Sequence, residues 1–116
     1  QVDLYQLHTA DPKVPYEDSL GAVARMQQEG LIRHVGISNV NVEQLAKARS
    51  ILKVVSVQNR YNVADRGSEA VLQACEQAGI AFIPWGPLAR MNLGGNANAS
   101  LEALTAVAKQ RGIDLS

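Results

Sequence analysis

A single cysteine, Cys75, stands in the whole chain of 116 residues. One thiol closes no internal disulfide and builds no thiolate metal cluster, so neither staple is expected, and a reducing cytoplasm is the compartment that fits. An excess of one charge is lacking too, since 11 Lys and Arg balance 11 Asp and Glu. That balance removes the footprint expected of a nucleic-acid binder or of a protein drawn to a membrane surface. No apolar run approaches the roughly eighteen residues of a membrane span, and no signal-peptide pattern or low-complexity tract is present. A chain of this length buries a real core as one domain, residues 1–116.

What the chain does have is a repeated plan. H-V-G-I-S-N, His34 to Asn39, is a β-favouring run that stops on two small polar side chains, Ser38 and Asn39. V-D-L-Y-Q-L-H ends on His8, V-V-S-V-Q-N on Gln58 and Asn59, and I-A-F-I-P-W-G on Trp85 and Gly86. Strands are expected near residues 2–8, 34–38, 54–59 and 80–85. Helical periodicity fills the intervals: residues 15–28, closed by Gly30; a segment capped by Asn41; one through Val71, Leu72 and Cys75 that stops at Gly79. A Gly/Asn-rich loop, residues 92–99, precedes a last helix capped by Ser100 and running from Leu101 to about Gln110.

Strands recurring every roughly twenty to thirty residues, with a helix in each gap, are the interval of right-handed βα crossovers and predict a parallel α/β sheet. Four such units fit an open doubly wound sheet or half of a barrel. The open nucleotide-binding sheet carries a Gly-rich turn after its first strand. Here H-T-A-D-P stands in that place, which favours a parallel (β/α)4 half of a (β/α)8 TIM-type barrel. Either way the polar strand ends converge on the carboxyl edge, where α/β folds place their ligands.

V-D-L-Y-Q-L-H, G-L-I-R-H-V-G-I-S-N, V-Q-N-R-Y-N and G-I-A-F-I-P-W-G-P-L-A, in this order and spacing, resemble the central part of the aldo-keto reductases, strands four to seven of a nicotinamide-dependent (β/α)8-barrel oxidoreductase. The resemblance implies that His8 is the active-site histidine that orients or polarises a small carbonyl substrate. It implies that Ser38, Asn39 and Gln58 bind the nicotinamide carboxamide of NADP(H). Trp85 stands where the family often has a tyrosine stacked on the nicotinamide ring. Gly86, Pro87 and Leu88, with Ala89, resemble the loop beneath the cofactor pyrophosphate. Plain structural roles compete at each position: Ser38 and Asn39 as helix caps, Gln58 satisfying strand-end backbone, Trp85 as core, His8 as a structural strand-end residue. Asp11 reads as a turn residue, Tyr61 and Asn62 as loop packing, and Asp3, Arg33 and His34 as belonging to the stability end of the sheet.

The Asp, Tyr and Lys with which the family completes its catalysis have no counterpart in the matching stretch. The chain also begins without Met, inside a strand, and ends on Ser116. It is therefore expected to be a fragment, inactive alone, of an NADP(H)-dependent carbonyl reductase; the alternative is a free-standing, non-catalytic half-barrel that self-associates or binds a ligand. Half a barrel should leave open strand edges and inward-facing Leu, Ile and Val uncovered, which favours pairing of two copies.

Overall fold

A computed structural model describes residues 1–88, Ala103 and residues 106–112. The expected loop at 92–99, the Ser100 cap, Ala89 and Arg90 lie outside the described residues; 106–111 are helical. Four strands, β1 (Val2–Leu7), β2 (Ile32–Ser38), β3 (Val54–Arg60) and β4 (Ala81–Trp85), alternate with three helices, α1 (Tyr16–Gln28), α2 (Val42–Ile51) and α3 (Glu69–Ala78). All neighbouring strands are parallel and their order is β1-β2-β3-β4. A doubly wound sheet reverses its order partway and puts helices on both faces. Among the described strands the order does not reverse, and α1, α2 and α3 share one core on one face of the sheet, as right-handed crossovers produce in a barrel.

Each helix has a readable cause. Asn41 opens α2 with a reciprocal cap: its Oδ1 accepts from the Gln44 amide at 2.7 Å, while Gln44 Oε1 accepts from the Asn41 amide at 2.9 Å. Glu17 and Asp18 sit in the first turn of α1, where the helix dipole favours acids. Glu17 also meets Lys47 of α2 at 3.0 Å, and its own backbone amide, then Lys47, hold its carboxyl below the usual value. Leu20 and Val23 from α1, Leu45 and Ala48 from α2, and Val71 and Cys75 from α3 close over Val35, Ile37, Val54 and Val57 of the sheet. Leu20 and Ile37 are fully buried. Truncating a side chain so placed costs its transfer energy and leaves a cavity, so Leu20→Ala is expected to lower stability by about 3 kcal/mol, read by chemical denaturation.

Two expectations are corrected. The second strand begins at Ile32, because pairing with Val2 extends the ladder two residues before His34. Arg33 and His34 therefore lie inside β2, and Arg33 makes an exposed ion pair with Asp3 at 3.3 Å. The first strand ends at Leu7, so His8 follows it, while β3 continues through Arg60 and β4 starts at Ala81. The second correction concerns the inner face. In the row Leu7, Ile37, Val57 and Phe82 the large apolar side chains turn toward the helices. The alternate row is Gln6, Gly36, Ser56 and Ala81, and one step beyond it Ser38 pairs with Gln58 and Gln58 with Ile83. The middle of the uncovered face is thus polar or small, while Val2, Leu4 and Ile83 stay exposed there, so the expected uncovered apolar surface is present in part.

Candidate active site

At the carboxyl ends of the strands, His8, Ser38, Asn39, Gln58 and Trp85 line one cavity together with Gln6. Its volume of about 480 Å³ falls within the range of small-molecule sites, about 300–1,000 Å³. A groove of about 630 Å³ at the opposite end, lined by Arg49, Leu52, Lys53 and Gly79 among others, lies where α2 and α3 end and carries none of the strand-end pattern. Gly86, Pro87 and Leu88 turn away after β4 and are not among the cavity's lining residues. Among the described residues no three His, Cys, Asp or Glu side chains converge to hold a metal, and no helix is long and apolar enough to cross a membrane.

Asn39 is the knot of the rim. It holds a left-handed backbone, φ 58°, a region in which asparagine is among the few tolerated side chains. Its Nδ2 donates to the His8 carbonyl at 2.9 Å and to Thr9 Oγ1 at 3.2 Å, and its Oδ1 accepts from Trp85 Nε1 at 2.9 Å. Its amide donates to the Gln58 carbonyl at 3.1 Å. One residue thereby ties the ends of all four strands. Trp85 is 41% exposed and carries the Arg60 guanidinium 5.7 Å from its ring centroid, an arginine itself paired with Asp65 at 3.3 Å.

Behind the rim lies a second layer. Gln6 Nε2 donates to the Ile37 carbonyl at 2.7 Å and to Ser38 Oγ at 3.0 Å, while Ser56 Oγ donates to Gln6 Oε1 at 3.2 Å. The Gln6 amide crosses β2 over Gly36, where an added Cβ would overlap Gln6 Oε1 and Ser56 Oγ. Ser38 is buried, and Gln58, its neighbour in register, is half-buried and makes no side-chain hydrogen bond among the described residues. Gln6, Gly36 and Ser56 escaped the sequence reading. Their signal was a spacing of two: Gln6 and His8, Gly36 and Ser38, Ser56 and Gln58 each put small or polar residues on one strand face.

The residues read as loop packing have defined tasks. Asn62 Oδ1 accepts from the Ala64 and Asp65 amides at 2.9 and 2.8 Å, and its Nδ2 donates to the Gly86 carbonyl at 3.1 Å. Gly86 has φ 63°, where a Cβ would strain the turn out of β4. Tyr61 donates to Glu69 Oε2 at 2.5 Å, which raises its phenol above the ordinary 10.0. A raised folded value means the contribution is present below pH 10 and is lost as pH rises through that value. Thermal unfolding scanned above about pH 10 should show the decline, and Tyr61→Phe should flatten it.

The sequence profile of the Aldo/keto reductase family matches residues 1–114. An uncharacterized oxidoreductase of Schizosaccharomyces pombe is 56% identical over 89 residues, 77% of this chain and 29% of that protein. A thermostable aldo-keto reductase crystallised with the inhibitor epalrestat superposes with a TM-score of 0.81 at 33% identity, over 98% of this chain and 42% of that one. An aldo-keto reductase from Klebsiella pneumoniae in complex with NADP and acetate gives a TM-score of 0.77 at 26% identity, over 97% of this chain and 41% of that one. The chain thus spans under a third of that curated relative and about two-fifths of these solved chains. Four parallel strands wound in one direction, with their polar ends gathered on one cavity, are part of a (β/α) barrel, and the chain belongs to the aldo/keto reductase family.

Proposed function

We propose that the cavity receives the nicotinamide end of NADP(H), and that this chain supplies the cofactor-facing half of a site for reversible hydride transfer between nicotinamide and a small carbonyl or alcohol. The observation that carries the reading is the Ser38–Gln58 pair. Side by side in register, a hydroxyl and a free carboxamide face the cavity, and together they offer the donor and acceptor that a primary amide requires. Trp85, held by Asn39, offers an indole surface to a planar ring. His8 lines the same cavity, where its imidazole can donate to a carbonyl oxygen as charge develops there. When bound, NADPH supplies the hydride; the residues here hold and orient it. Gly86, Pro87 and Leu88 are assigned to the pyrophosphate side. NADP(H) rather than NAD follows the family and the NADP found in the Klebsiella relative.

The same geometry argues against turnover by this chain alone. Tyr5 lies in β1, on the row that turns toward the helices, Tyr16 opens α1, and Tyr61 is bound to Glu69, so no tyrosine lines the cavity as a proton donor. Trp85 is the only tryptophan, which makes it a built-in reporter. Titration with NADPH should quench its emission saturably, Ser38→Ala and Gln58→Ala should each weaken binding about tenfold, and no NADPH should be consumed with a simple aldehyde. An unquenched Trp85 at millimolar NADPH would sink the cofactor reading; aldehyde-dependent oxidation lost in His8→Ala would overturn the inactivity.

A second reading rests on the open edges. β1 and β4 each pair on one side only among the described residues, and Val2, Leu4 and Ile83 are between 40% and 51% exposed. A second copy of this chain set edge to edge would cover them. Sedimentation equilibrium at micromolar concentration decides it: a dimer supports the pairing and a monomer removes it.

A further inference from the structure

The geometry points to Gln6 as a positioning residue that turns the Ser38 hydroxyl proton toward the cavity, so that the ligand atom opposite Ser38 must be a hydrogen-bond acceptor, an assignment that rests on the nicotinamide reading for the ligand and on this chain's own contacts for the rest. A backbone carbonyl only accepts, so the Ile37 oxygen, 2.7 Å away, fixes which end of the Gln6 amide carries nitrogen. The second N–H of that nitrogen falls on Ser38 Oγ at 3.0 Å. The amide oxygen then lies on the far side, where it takes the Ser56 proton at 3.2 Å.

Ser38 Oγ is therefore an acceptor toward Gln6. Its own proton cannot point at an N–H, and among the described residues it has no other acceptor. The cavity is the direction left open, because Ser38, Gln6 and Gln58 all line it. A serine free to rotate would serve a donor or an acceptor equally; this one is preset for an acceptor. The carboxamide oxygen of the nicotinamide meets that requirement and its NH2 does not, which leaves the nitrogen to Gln58. Gly36 permits the arrangement, since any Cβ there would collide with the bridging amide.

The whole chain, followed by Trp85 emission, is titrated with NADPH and with its thionicotinamide counterpart, in which sulfur, a poorer acceptor, replaces the carboxamide oxygen. The wild type should favour NADPH about tenfold. Gln6→Glu keeps the shape but offers only acceptors, so the Ser38 proton turns back toward it and the preference should fall to about one. Gln6→Met removes the polarity and should give an intermediate ratio. A merely structural role would weaken both ligands by the same factor and leave the ratio unchanged, and that result, or a wild-type ratio near one, overturns the assignment.

If the wild type binds neither nucleotide, the nicotinamide reading fails and the Gln6 assignment is decided without ligand. Nitrogen-15 spectra should then show two exchange-protected Gln6 side-chain N–H signals, one of them shifted in Ser38→Ala. A pair that exchanges like a solvated amide refutes the bridge.

Discussion

Gly36→Ala is expected to lower stability by about 2 kcal/mol and nucleotide affinity by at least about tenfold, an outsized effect for one methyl group. The new Cβ would stand where Gln6 Oε1 and Ser56 Oγ now lie. Both are ends of side chains and can move aside, so steric strain is not the main cost. What is lost is the bridge: Gln6 to the Ile37 carbonyl, Gln6 to Ser38, and Ser56 to Gln6. At about 0.5–1.5 kcal/mol each, three such bonds reach the stated loss, while the Ile37 carbonyl is left to find water. Chemical denaturation and the Trp85 titration read the two effects separately. A variant as stable as the wild type, binding NADPH as tightly, would show that the bridge contributes nothing.

Asn39→Ala should cost a similar amount by a different route, about 2–3 kcal/mol. Alanine at φ near 58° accounts for about 1 kcal/mol of it. The remainder comes from the bonds to the His8 carbonyl, Thr9 and Trp85. Asn39→Gly separates the terms: it tolerates the backbone but makes none of the side-chain bonds, so it should recover the backbone share of the stability and not the share of those bonds. In both variants the indole N–H loses its partner and Trp85 emission should shift to the red. Unchanged emission in the glycine variant would mean that the clamp does not hold the ring.

How much of this could be read from the sequence differs by layer. The alternation of strands and helices was legible because each strand is a short apolar run closed by a turn or cap: Gly30, Asn41 and Gly79 punctuate the chain where the structure ends or begins its helices. The cavity's His8, Ser38, Asn39, Gln58 and Trp85 were legible through their place at strand ends and the family resemblance. The strand starts were not, because Ile32 and Arg33 acquire β structure only from pairing with β1, a contact absent from local sequence. The polar middle row of the inner face was not legible for a related reason. Val35, Ile37 and Val57 looked like material for either face, and only the register against Gly36 and Ser56 shows that they belong to the helices. Asn39 looked like a ligand contact or a helix cap; its engagement with β1 and β4 needed coordinates, since His8 and Trp85 lie 31 and 46 residues away.

The unbroken order β1-β2-β3-β4 also bears on how the chain acquires its shape as it leaves the ribosome. Among the described residues, β2, β3 and β4 each pair with the strand synthesised just before them. Each of these later strands can dock on the one before it, and loop closure among the four spans one crossover at a time. Across these four strands the sheet grows in the direction of translation.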